Sequence, residues 1–118
     1  MGRFITPINV SETRDKVLTS LVSKMKSKFR AVLVDKNCSV DAYVNKSNPK
    51  IGYISLSHYD LMAYSQRYSD VTEMVEIATN TSKVESVQIL GDLKHTVSFK
   101  EFYHGAMPDV TIEVKITP

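Results

Sequence analysis

Apolar and polar positions along this chain follow two different periods, and the switches between them mark its elements. From Val17 onward, Val17, Leu18, Leu21, Val22, Met25 and Phe29 recur every three or four positions, which places them on one stripe of a helix. Asn9 with Glu12 fits a capping box, Ser11 is a rival cap, and Glu12 and Asp15 suit the positive helix start. Lys24, Lys26, Lys28 and Arg30 crowd the last turns, where cations suit the negative end. Ahead of the helix, Pro7 disfavours helical backbone at Thr6 and removes a donor. Residues 1–10 therefore read as an extended N-terminal arm.

After the helix the apolar period shortens. Ala31 to Val34 is a short apolar run that reads as a buried strand, and Val40, Ala42 and Val44 alternate with Ser39, Asp41 and Tyr43. Lys46-Ser47-Asn48-Pro49 is turn chemistry, with Ile51 to Leu56 returning as the hairpin partner. Ser57 with Asp60 predicts a helical stretch through Tyr68. Ser69-Asp70 interrupts that stretch, and Asp70 with Glu73 recaps a segment carrying Val71, Met74, Val75 and Ala78 at helical spacing.

The last third reads as strand. Val84 to Leu90 and Leu93 to Phe99 flank Gly91-Asp92, the composition of a two-residue hairpin turn. Leu93, Val97 and Phe99 share one face of the second run, with Lys94, Thr96, Ser98 and Lys100 on the other. Tyr103 to Asp109, containing Gly105 and Pro108, reads as a loop, and Val110, Ile112, Val114 and Ile116 then alternate strictly with Thr111, Glu113, Lys115 and Thr117. The expectation is a single α+β domain over residues 11–118, with two helical regions packed on a largely antiparallel sheet. The expected order is α-β-β-β-α-β-β-β, without internal sequence repeats.

Composition adds bounds rather than detail. A chain of 118 residues has room for one hydrophobic core, and 42% apolar with 24% charged residues is a folding rather than a disordered balance. No apolar run approaches the ~18 residues that span a bilayer. The N-terminus shows no secretory pattern, and the single cysteine, Cys38, forms no internal disulfide. The expected setting is intracellular (cytoplasmic) or inside a virion. Gly2 with Thr6 touches the loose myristoylation pattern, but a charged Arg3 follows the glycine. Asn9, Asn37, Asn45 and Asn80 open glycosylation triplets, which matter only in a secreted chain.

The search for chemistry mostly excludes. Gly2, Gly52, Gly91 and Gly105 are too scattered for a P-loop or a dinucleotide fingerprint, both of which need clustered glycines. His58, His95 and His104 have no second ligand at metal spacing, although His95 and His104 could meet near Asp109 at strand ends. Cys38 with a distant histidine would be a thiolate pair, yet a cysteine at a strand start reads first as a small hydrophobe. Glu73 and Glu76 fall on the exposed side of the second helix, and Ser65, Ser69 and Ser98 lack nucleophile motifs. The expectation is no enzyme, no cofactor, no metal and no small-molecule substrate.

Surfaces are more informative. Tyr64 and Tyr68 fall on one helical face with Arg67 beside them, and Tyr and Arg are enriched at interface hot spots; packing on the sheet is the rival reading. Opposite the first helix's apolar stripe lie Lys16, Ser20, Ser23 and Ser27, which either admit another surface closely or form a solvated face. Lys24, Lys26, Lys28 and Arg30 would be the nucleic-acid contacts if there were any, although a solubilised helix end has the same composition. The net charge of +2 divides unevenly: residues 1–50 hold ten Lys/Arg against four Asp/Glu, and residues 51–118 hold five against nine. Opposite charge on two halves suits head-to-tail packing.

The element order resembles that of small ring-forming proteins of tailed-virus necks and tails, such as tail-terminator subunits. The resemblance covers the predicted elements and rests on no motif. It implies a non-enzymatic structural or assembly subunit that forms homo-oligomers. Two other expectations stand beside it: a small nucleic-acid-binding protein using the basic helix end, and a small inhibitor that binds a host enzyme through the tyrosine-rich segment. No membrane contact is expected.

Overall fold

In the computed structural model, the residues described are 10–32, 38–58, 64–90, 96–104 and 109–117. The first helix, α1 (Val10–Val32), starts immediately after Asn9 and buries Val17, Leu18, Leu21, Met25 and Phe29, with Val22 half-buried beside them. The predicted stripe is thus the helix's core face. Strands β1 (Cys38–Val44) and β2 (Ile51–His58) form an antiparallel hairpin, followed by α2 (Tyr64–Leu90) and a second hairpin of β3 (Thr96–His104) and β4 (Asp109–Thr117). The four strands make one antiparallel sheet in the order β1-β2-β4-β3.

The protein is therefore α+β, as its sequence predicts, with the order α-β-β-α-β-β. The same α-β-β unit occurs twice, and the two hairpins meet where β2 pairs with β4. Ile54 and Ile112 are directly opposed at that seam and both are buried. The strictly alternating segment is a central strand: Val110, Ile112, Val114 and Ile116 face the helices and are buried, whereas Lys115 and Thr117 on the other face are exposed. Val71, Met74, Val75 and Ala78 of α2 close the core from above.

Glycine has a specific role at one position. Gly52 lies beneath α1, where a Cβ would collide with Leu18 Cδ1 and stand 3.1 Å from Leu18 Cγ. The absence of a side chain lets the helix sit down on β2. Arg14 then fastens the start of α1 to the β1–β2 turn. Its Nη1 donates to the Pro49 carbonyl at 3.1 Å and its Nε to Asp15 Oδ1 at 3.0 Å. Within the turn, Asn45 Oδ1 accepts from the backbone N–H of Ser47 and Asn48, and Asn45 Nδ2 donates to Tyr53 Oη at 2.9 Å. Asn45 is thus spent on turn geometry.

Six sequence expectations differ from the structure. Ala31 and Val32 are exposed residues of the last turn of α1, not the start of a buried strand; Leu33 and Val34 lie outside the described residues. With no glycine or proline nearby, nothing stops the helix at Arg30. Ser57 belongs to β2 and caps no helix, and α2 runs unbroken through Ser69-Asp70 because Asp70 is drawn into a tertiary pairing described below. Val84 to Leu90 is the end of α2, not a strand, and Gly91-Asp92 lies outside the described residues. The helical side of that segment buries Thr81, Ser82 and Ser86, whose polarity hides the period from a hydrophobic reading. Tyr103 and His104 end β3 and Asp109 begins β4, which shortens the expected loop. Of the expected arm, Val10 opens α1 and residues 1–9 lie outside the described residues.

Candidate functional site

The sequence sets His58 twelve residues before Asp70, and the fold removes that separation. His58 ends β2 and Asp70 lies near the start of α2; their side chains meet with Nε2 3.0 Å from Oδ2, both buried. The pair ties strand to helix at the far end of the sheet from the Asn45 turn. Cys38 is the cross-strand partner of His58 and is half-buried. Thiol, imidazole and carboxylate thus sit on three adjacent elements. Hydrophobic periodicity carries no trace of such a pairing, because it depends on which strand end the helix crosses. Among the described residues no cluster of three His, Cys, Asp or Glu could hold a metal ion. His95 lies outside the described residues. The backbone of His104 is the register partner of Asp109.

The polar face of α1 is where the sequence puts it. Lys16, Ser23 and Ser27 are exposed and Ser20 is half-buried, around a shallow hollow lined by Asp15, Lys16, Thr19, Ser20, Ser23 and Lys24. Lys24, Lys26, Lys28 and Arg30 are all exposed as well. At 3.6 residues per turn, Lys24 and Lys28 occupy one flank of the helix and Lys26 and Arg30 the opposite flank. The four cations form two pairs separated by the helix body rather than one patch. Tyr64, Arg67 and Tyr68 occupy the first turns of α2, and the positions of their side chains lie outside the described residues.

The sheet edges lie elsewhere than the alternation suggests: the strictly alternating terminal segment, expected to be able to extend a sheet, is central. β1 and β3 are the outer strands. On β1 only Val40 is buried, and Tyr43 and Val44 are 50% and 41% exposed. On β3, Phe102 and Tyr103 are 37% and 66% exposed. The alternation Val40-Ala42-Val44 predicts a half-buried strand, but α1 covers only its beginning. Tyr43 stacks on Tyr53 across the hairpin with ring centroids 5.0 Å apart, and Lys100 Nζ lies 5.1 Å from the centroid of the Phe102 ring. These contacts hold large rings at the two margins in defined positions.

Among the described residues α1 touches β1 but not β3, and α2 touches β3 but not β1. The exposed cations Lys24, Lys26, Lys28 and Arg30 are on α1 and the exposed Glu73 and Glu76 on α2, where Lys83 is exposed as well, as is Lys100 of β3. No described helix is long and apolar enough to cross a membrane. Comparison of the chain with protein-family models, with curated proteins and with solved structures returned no match to any of them.

Proposed function

We propose that this protein is a non-enzymatic assembly subunit that forms homo-oligomers head to tail, the β1 margin of one copy meeting the β3 margin of the next. The observation that supports this is the pair of outer strands with exposed apolar side chains, Tyr43 and Val44 on one and Phe102 and Tyr103 on the other. Unpaired edge strands with apolar side chains invite pairing with another chain, and proteins that stay alone blunt them with charge, proline or a covering element. Attraction between the basic first half and the acidic second half of the chain favours contact between unlike edges over like ones. A heterologous contact of this kind closes into a ring or extends as a filament. A role in a viral neck or tail is one such ring. The proposal stands on these surfaces, because the likeness to tail subunits used eight elements where six are observed. Lys16, Ser20, Ser23 and Ser27, with Tyr64, Arg67 and Tyr68, are the helix positions assigned to the same contacts.

Light scattering after size-exclusion chromatography tests the proposal. The expected result is a discrete oligomer that Tyr103→Lys or Tyr43→Lys converts to monomer while the melting temperature changes little. A wild-type monomer at all concentrations would overturn it. Nucleic-acid binding through Lys24, Lys26, Lys28 and Arg30 is the weaker reading, because the four exposed cations form two separate pairs rather than one patch.

A further inference from the structure

The side that α2 turns toward the sheet changes character along the helix. Its first half buries Val71, Met74, Val75 and Ala78 in the core. Its second half presents Thr79, Ser82 and Ser86 instead. These side chains are too short to cover the sheet, so Val97 and Phe99 of β3 stay half-buried and a cleft of about 450 Å³ separates α2 from β3 above Ile112. That volume falls in the range of small-molecule sites. Ser82 lines the cleft and is only 1% exposed, and its Oγ has no hydrogen-bond partner among the described residues. A buried hydroxyl left in this state favours whatever supplies a polar atom.

The rim carries two opposite charges. On the helix-facing side of β3 the alternation runs Val97, Phe99, Glu101, so a carboxylate stands where a third apolar residue would extend the core. Glu101 is held in place: its Oε1 accepts from Thr79 Oγ1 at 2.9 Å and its Oε2 from Tyr103 Oη at 2.8 Å. Lys83 also lines the cleft, one helical turn beyond Thr79. Glu101 and Lys83 thus both stand on the rim of an apolar floor.

We propose that this cleft binds a free amino acid with an apolar side chain. The ammonium group meets Glu101, the carboxylate meets Lys83, and the side chain lies on Val97, Phe99 and Ile112.

Titration of the labelled protein with L-phenylalanine, followed by amide NMR, tests this, with 3-phenylpropionate and phenethylamine as controls that each lack one charge. Phenylalanine should produce saturable shifts at Thr79, Ser82, Val97 and Phe99, and each control should bind about tenfold more weakly. In Glu101→Gln, phenylalanine should lose about tenfold and its advantage over 3-phenylpropionate should vanish. Glu101 is exposed, so this variant should melt with the wild type. Ser86→Leu, which places a side chain in the cleft, should abolish the shifts. No saturable shift up to the solubility limit would overturn the proposal, as would equal affinity in wild type and Glu101→Gln.

Discussion

Replacing Gly52 by alanine adds one methyl group, and its expected effect comes from a single neighbour. The new Cβ would overlap Leu18 Cδ1, with Cγ and Cδ2 of the same side chain at 3.1 and 3.2 Å. Leu18 is 3% exposed and hemmed in by the core, so it cannot swing into solvent. Overpacking of this kind costs about 1–3 kcal/mol. Alanine is otherwise favoured over glycine in a strand by about 0.5–1 kcal/mol. The net expectation is a loss of about 1–2 kcal/mol. Leu18→Ala alone should cost about 2–5 kcal/mol through the cavity it leaves. In the Leu18→Ala background the obstacle is gone, so Gly52→Ala should be neutral or stabilising by up to about 1 kcal/mol. Urea denaturation of the wild type, both single variants and the double variant measures the coupling, expected at about 2 kcal/mol. Additive effects within about 0.5 kcal/mol would refute the claim that Gly52 exists to seat Leu18.

Two further substitutions test the core and the buried pair. Ile112→Asp should destabilise by several kcal/mol because it puts an unpaired charge between α2 and the sheet, whereas Glu113→Ala on the opposite face should change stability by less than ~0.5 kcal/mol; equal melting temperatures would remove the assignment of faces. Asp70→Ala should cost about 2 kcal/mol or more in denaturant unfolding, because His58 stays buried without its carboxylate. Unchanged stability there would mean the pair contributes nothing to docking α2 on β2.

The parts of the fold that use apolar periodicity were readable in the residues. The α1 stripe from Val17 to Phe29, the first half of α2 and the alternation of β4 all follow from single-element spacing. The second half of α2 was not readable, because it faces the sheet with Thr81, Ser82 and Ser86, and β-branched Val84 and Val87 around them imitate a strand. Exposure at the margins was equally hidden. Whether Val44 is covered depends on how far α1 reaches across β1, which is a property of two elements together. The His58–Asp70 contact was hidden for the same reason, since it exists only once the second α-β-β unit lies on the first, and the cleft exists only once α2 lies on β3 and β4.

That repeated α-β-β arrangement also bears on how the chain folds in time. Each hairpin pairs strands that are near neighbours in sequence, β1 with β2 and β3 with β4, so both can form from local encounters within microseconds. The β2–β4 seam is different, because it joins segments separated by the whole of α2. Closing that long loop costs entropy before any seam contact repays it. The seam is then the late event that converts two local units into one sheet. Ile54 and Ile112, opposed across it, are brought together only at that step, whereas contacts within the two hairpins are already formed when it occurs and so act on the folding rate.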